Sequence, residues 1–198
     1  MKTHLLGIIG SLRDRSVTHC GVRHVLATAK RLGAEVEVID FRKLSLPIFD
    51  PDNLQPPGFE EILKHVTWAN TFVLGSPDYH GSMSGAMKNF LDYFWKELSG
   101  KLFGYICASH EKGLTAMDQL RTTVRQCYGW SLPYGVSLME EDVDLNVGNV
   151  TNSKVIRRLN WMAYDLVTYG ALLRKQFESD VAGNNPDVGF AIHYRKNG

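Results

Sequence analysis

Hydrophobic and polar positions fall into a repeating order of short apolar runs and longer amphipathic stretches. Leu5-Leu6-Gly7-Ile8-Ile9 is apolar throughout, too short for a helix and closed by Gly10-Ser11, which is the pattern of a strand buried on both faces. Ser16 then caps a predicted helix from Val17 to about Leu32, with Val22, Val25, Leu26, Ala29 and Leu32 on its inner stripe and Gly33 as its stop. Glu35 to Phe41 alternates polar and apolar residues, as a half-buried or edge strand does. A short helix from Phe59 to Asn70 follows, with Ile62, Leu63 and Val66 inward, and then an apolar third strand from Thr71 to Gly75. Gly85 to Leu98 reads as a helix with the stripe Met87, Phe90, Leu91, Phe94 and Leu98, and Lys101 to Ser109 as the fourth strand. Leu114 to Tyr128 is the fourth helix and Tyr134 to Leu138 part of a fifth strand. The last helix runs from Ser153 to about Phe177 on Val155, Ile156, Leu159, Ala163, Leu166, Val167 and Leu173.

Strand and helix alternating five times predict an α/β fold, with a five-stranded parallel sheet and helices on both faces. The 198 residues suit one domain, placed at residues 1–178, with 179–198 as a C-terminal extension or tail rich in Asn, Gly and charge. Residues 42–58 hold four of the seven prolines, Pro47, Pro51, Pro56 and Pro57, and form a long surface excursion.

Composition narrows the partners. With 22 Lys and Arg against 21 Asp and Glu, the net charge of +1 gives no clustered positive field for nucleic acid. No apolar run approaches the ~18 residues of a membrane span, and the N-terminal residues Met1-Lys2-Thr3-His4 lead straight into a strand without an apolar leader. The three cysteines, Cys20, Cys107 and Cys127, are odd in number and widely spaced, which fits packing roles in the cytoplasm. The histidines show no HExxH or other ligand spacing, no serine sits in a GxSxG elbow, and the acidic residues Glu140, Glu141, Asp142 and Asp144 read as a solvated strand end. Neither metal catalysis nor hydrolysis has a sequence basis.

Two segments carry the candidate chemistry. Gly10-Ser11-Leu12-Arg13-Asp14-Arg15-Ser16 lies between the first strand and the first helix, where free amides, that of Val17 among them, and the positive end of the dipole favour a phosphate. Ser11, Ser16 and Thr18 add hydroxyls and Arg13 a charge-assisted fork. The loop lacks the GKS or GKT ending of a nucleoside-triphosphate loop and the GxGxxG of a dinucleotide fold. The second segment, Ser76-Pro77-Asp78-Tyr79-His80-Gly81, follows the third strand: Tyr79 and His80 can pack beside a planar ring, and amides from Asp78 to Gly81 can face its polar edge. In a doubly wound sheet of order 2-1-3-4-5 the switch point lies between strands one and three, the two strands bearing these segments. Phosphate chemistry beside ring chemistry predicts a phosphorylated flavin.

These residues resemble the NADPH-dependent FMN reductases of flavodoxin-like fold. Gly10-Ser11-Leu12-Arg13 with Ser16 is similar to the family's phosphate loop, and Ser76-Pro77-Asp78-Tyr79 with Ser82, Gly85, Lys88-Asn89 and Asp92 is similar to its motif SPxYxxSxxGxxKNxxD. The chain departs from it at Thr18 for Asn, Asp78 for Glu, His80 for Asn and Ser84 for Pro. The resemblance implies a flavodoxin-like three-layer sandwich and an enzyme that takes hydride from NADPH, or NADH, onto FMN and passes electrons to a small-molecule acceptor: free flavin, quinone, azo dye or metal ion. It implies FMN contacts from Ser11, Arg13, Ser16, Val17, Thr18, Pro77, Asp78, Tyr79, His80, Gly81, Ser109 and Gly113, no catalytic acid or base, and a homodimer or homotetramer. Exposed Tyr93 and Trp95 are candidates for the subunit contact. The rival is a non-enzymatic electron carrier of the same fold, which the near-neutral charge disfavours; a third reading is the fold without flavin.

Overall fold

The computed structural model describes residues 2–195. Met1, at the start of the expected domain, and residues 196–198, at the end of the expected tail, lie outside the described residues. The elements in order are β1 (His4–Ile9), α1 (Val17–Arg31), β2 (Glu35–Asp40), α2 (Phe59–Trp68), β3 (Thr71–Tyr79), β4 (Ser82–Met83), α3 (Gly85–Asp92), β5 (Leu102–Ala108), α4 (Leu114–Gln126), β6 (Trp130–Ser131), β7 (Val136–Leu138), β8 (Val143–Asp144), β9 (Asn149–Val150) and α5 (Ser153–Ala182).

β2, β1, β3, β5 and β6 lie side by side and parallel, in the predicted order, while β4 pairs antiparallel with β3, β7 pairs parallel with β5, and β8 and β9 form a separate hairpin. The main sheet therefore has seven strands. The expected fifth strand is split into β6 and β7 around Pro133, which has no amide to continue a ladder. β1 shows why its sequence is apolar on every residue. Leu6 and Ile8 enter the core under α2, α3 and α4, whereas Leu5 and Ile9 enter the core under α1 and α5.

Several boundaries differ from the sequence reading. β3 continues four residues past Gly75, so Ser76 to Tyr79 is strand and not loop. α3 stops at Asp92 because Tyr93 and Phe94 bond back three residues, to Phe90 and Leu91, and Trp95 leaves helical geometry; Phe94 and Leu98 are buried all the same. Tyr93 packs against Phe49 and Phe59 and its hydroxyl donates to Pro47 O, which leaves Trp95 as the exposed aromatic of that region. Asn89 holds the Pro-rich excursion in place, donating to Pro47 O at 2.8 Å and accepting from Phe49 N at 2.7 Å. α4 ends at Gln126 and α5 extends to Ala182.

The C-terminal extension folds back. A short 3-10 turn, Gly189–Tyr194, sets the Phe190 ring against Phe177 and Tyr128, each at 5.5 Å. The Tyr194 hydroxyl lies 2.5 Å from Ser99 Oγ, and Arg195 donates to Asp180 O. Among the described residues, no helix is long and apolar enough to cross a membrane.

Candidate functional site

At the carboxyl ends of β1 and β3 the chain leaves the sheet on either side of one cleft. The first wall is built where β1 turns into α1. Gly10 N donates to Gly75 O at 2.8 Å, and a Cβ on Gly10 would sit 2.9 Å from that carbonyl and 2.8 Å from Met87 Cε, so the turn excludes a side chain. Ser84 bolts the two segments together. Its hydroxyl donates to Gly10 O, its amide donates to Ser76 Oγ, and its Oγ caps α3 through Met87 N. The Ser84 that departs from the family pattern is thus a structural hub.

Past Gly10, Ser11 Oγ accepts from Arg13 N, and Ser16 caps α1 by accepting from His19 N. The amides of Val17 and Thr18 head α1, where no preceding turn offers them a carbonyl. Thr18 Oγ1 is buried and, among the described residues, is the one buried side-chain nitrogen or oxygen without a hydrogen-bond partner. Orphaned hydroxyls are costly in an interior, on the order of 1–3 kcal/mol, and imply an acceptor or donor the protein itself does not supply. A side brace steadies this loop. Arg42 forms an ion pair with Asp40, donates to Asp14 O at 2.5 Å and lies 2.8 Å from His19 Nδ1. Burial, then the Arg23 and Arg42 charges, pushes His19 down from the usual imidazole value. Burial alone would push the Asp40 carboxyl up, but hydrogen bonds and charge from Arg42 hold it below the usual range. Arg15 points away from the cleft to Asn146.

The second wall is the end of β3. Tyr79 faces Ser82 across a two-residue turn in which His80 (φ 58°) and Gly81 (φ 76°) are both left-handed, as a type I′ hairpin requires. Asp78 Oδ1 accepts from Gly81 N at 2.8 Å and Asp78 Oδ2 accepts from Ser109 Oγ at 3.0 Å. The Gly81 amide, expected to face a ligand, is therefore taken by Asp78.

Together the walls enclose a cleft of about 110 Å³ lined by Ser11, Arg13, Ser16, Val17, Thr18, Pro77, Asp78, Tyr79, Ala108, Ser109, His110, Leu138, Met139 and Glu140. It collects Ser11, Arg13, Ser16, Val17, Thr18, Pro77, Asp78, Tyr79 and Ser109 of the expected set. His80 and Gly81 lie at the hairpin tip outside it. Gly113 is turned inward at the start of α4, where a Cβ would meet Cys107 Sγ at 2.3 Å. Sequence reasoning missed the wall from Leu138 to Glu140 at the end of β7, although every parallel strand delivers its carboxyl end to this edge. Asp142 fixes that wall: it is buried, and its carboxylate accepts from Met139 N at 2.8 Å and Asn152 Nδ2 at 2.6 Å, so it is a brace and not a solvated strand end. Among the described residues no cluster of His, Cys, Asp or Glu could hold a metal ion. Cys107 beneath the cleft is pushed up to about 12 by burial and, second, by Asp78, which makes it a neutral packing thiol.

The donor set fits a monoester phosphate: helix-start amides, an unpartnered hydroxyl and Arg13, with Ser11 and Ser16 at hand. Comparisons with known proteins give the family and the fold. The chain is 27% identical over 149 residues to an FMN-dependent NADPH-azoreductase of Staphylococcus aureus (strain USA300), covering 70% of this chain and 78% of the relative. Its fold matches FerB, a flavoenzyme NAD(P)H:(acceptor) oxidoreductase from Paracoccus denitrificans, with a TM-score of 0.70 at 20% identity over 87% of this chain and 98% of that one. An NADH:FMN oxidoreductase (EMOB), in apo form, matches with a TM-score of 0.66 at 18% identity over 85% of this chain and 90% of that one. Flavodoxins share the fold as well, but the family model that matches residues 3–144 is that of an enzyme. The chain belongs to the NADPH-dependent FMN reductase family.

Proposed function

We propose that the cleft binds FMN with its phosphate at Ser11 to Thr18 and its ring between Pro77-Asp78-Tyr79, Ser109-His110 and the Leu138 to Glu140 wall, and that the protein uses NADPH to reduce a small-molecule acceptor through it. The observation that carries this reading is the partnerless, buried Thr18 hydroxyl at the head of α1, on a residue that lines the cleft. FMN, when bound, accepts hydride from the nicotinamide and hands electrons onward. The chain's own residues bind and orient. α1 supplies amides and dipole to the phosphate, Arg13 adds charge, and Tyr79 and Met139, both partly exposed, supply flat and adaptable surface beside the ring. His80 is at the hairpin tip outside the cleft, and Gly81 N is occupied by Asp78.

The finer reading extends to acceptor and assembly. The azoreductase named above makes azo dyes the first acceptors to try, followed by quinones, free flavin and ferric salts. A cytoplasmic homodimer or homotetramer agrees with the unpaired buried cysteines and with exposed Trp95 and Tyr79, and light scattering decides the assembly. Residues 1–178 form the FMN-binding unit in this reading, with residues 179–195 of the extension docked on its base.

Purified apoprotein titrated with FMN should quench flavin fluorescence, and the loaded protein should oxidise NADPH when an acceptor is present. Ser11→Ala combined with Arg13→Ala should weaken FMN binding by about a hundredfold, since two donors to an anion, one of them charged, are lost. Undiminished binding would overturn the phosphate assignment, and a flavin-loaded protein inert to NADPH would favour the carrier.

A further inference from the structure

The ring side of the cleft is assembled from pieces that the chain visits far apart. Asp78 and Tyr79 lie at the end of β3, beside the β3–β4 turn; Ser109 and His110 ride on the loop between β5 and α4, and Asp78 and Ser109 stand 31 residues apart. The turn holds a non-glycine residue, His80, in left-handed geometry, and the loop has Lys112 and Gly113 left-handed in succession. One carboxylate joins them: Asp78 takes the Gly81 amide on one oxygen and the Ser109 hydroxyl on the other, while Ser109 Oγ accepts from Glu111 N at 3.1 Å. Ser109 thus spends its hydroxyl hydrogen on Asp78, and the loop beyond it is pinned through Glu111.

We infer that Asp78 is a positioning residue that clamps the hairpin to the β5–α4 loop, fixing the slot for the ring, and that its carboxylate sets the electrostatic environment of whatever lies there. This rests on the FMN reading of the cleft. The clamp has the chemistry the task needs. A carboxylate can accept from both sides at once with charge-assisted bonds, whereas an amide side chain in its place accepts on one side and donates on the other. Because Asp78 itself lines the cleft, a negative charge there opposes negative charge added to a ring beside it, and so lowers the potential at which a bound flavin takes up electrons.

Two substitutions separate the roles. Asp78→Asn keeps an acceptor for Gly81 N and can donate to Ser109 Oγ, so it preserves the clamp and removes the charge. Asp78→Ala removes both. Amide hydrogen exchange on the apoprotein, which needs no flavin, should show residues 80–82 and 109–112 losing protection together in Asp78→Ala and staying protected in Asp78→Asn. FMN affinity should fall about tenfold in Asp78→Ala and stay within about twofold in Asp78→Asn. The midpoint potential of bound FMN should rise in Asp78→Asn, a change that a purely structural clamp would not produce. Loss of protection in only one of the two segments overturns the clamp, and an unmoved potential in Asp78→Asn overturns the electrostatic role. A wild-type protein that fails to bind FMN at all defeats the FMN reading and leaves the exchange result to judge the clamp alone.

Discussion

The two ends of the sheet each bury a polar group that the protein does not fully accommodate, and they do so in opposite ways. At the carboxyl end, Thr18 Oγ1 is neutral and has no partner. At the amino end, Lys101 is 4% exposed, donates from Nζ to Val66 O at 2.7 Å and lies over the Phe72 ring at 5.5 Å. The hydroxyl is cheap to bury and lacks a bond; the ammonium has its bond and is costly to bury. Around them the packing differs accordingly. The carboxyl end is open, with arginines and a left-handed hairpin at its rim, whereas the amino end is closed by the aromatic layer of Phe177, Phe190, Tyr128 and Tyr194. A deficit that a ligand can cure belongs at a binding site. A deficit that only protons can cure belongs to the scaffold.

The largest expected effect lies at the amino end. Burial, and second the nearby Arg174 charge, lowers Lys101 from 10.5 to about 7. The folded state therefore releases this proton near neutrality, while the unfolded chain holds it to higher pH. Below about pH 7 both states are protonated and the full penalty of the buried cation is present; as pH rises toward 10 the penalty is relieved, so this group makes stability increase with pH. The gain is on the order of 4 kcal/mol across that window, at ~1.4 kcal/mol per pH unit. Denaturant melts of the wild type and of Lys101→Met should diverge in slope over that range, with the variant flatter. Parallel curves would show that Lys101 stays charged in the fold and that the contrast between the two ends is false.

The aromatic layer gives the next effect. Phe190→Ala removes a ring stacked between Phe177 and Tyr128 and should cost about 2–3 kcal/mol, less than for a fully enclosed Phe because the site is partly open. FMN affinity of the folded variant should not change, since the layer lies at the far end of the sheet. A fall in affinity would mean that the amino end communicates with the cleft.

The same contrast marks what the sequence discloses. The first wall of the cleft was legible because one continuous segment builds it: apolar strand, tight Gly10, the Ser16 cap and hydroxyls at fixed spacing. The order of the long strands is not carried by periodicity; it came with the flavodoxin-like fold class, and the two unusual segments following strands one and three agree with it. The wall from Leu138 to Glu140 was not legible, because these residues are ordinary at sequence level and acquire their place in the cleft only from where β7 ends. The extension of β3 was hidden by Pro77 and Asp78, which read as loop; Pro77 nonetheless pairs in register with Ala108 at the strand's end. Ser84 looked like a departure from a pattern, and only the fold reveals the three bonds it makes. Phe190 and Tyr194 sit in a stretch whose Asn and Gly suggested a tail, and their partners, Phe177, Tyr128 and Ser99, are supplied by three other regions.

Thr18→Val yields the smallest effect and the most discriminating one, because its two consequences have opposite signs. Valine is nearly the shape of threonine and has no hydroxyl, so in the apoprotein it removes a buried oxygen with no partner. The apoprotein should become more stable, by about 1 kcal/mol, in contrast to most core substitutions. FMN affinity should fall by about tenfold, the loss expected for one hydrogen bond to a charged phosphate. Thermal melts with and without FMN measure both at once: the variant melts higher alone and gains less from the ligand, since stabilisation follows from how far the ligand exceeds its dissociation constant. If Thr18→Val lowered stability and left FMN affinity intact, the hydroxyl would have a partner within the protein. The carboxyl end of the sheet would then be as self-sufficient as the amino end, and the orphaned oxygen would no longer mark where the phosphate binds.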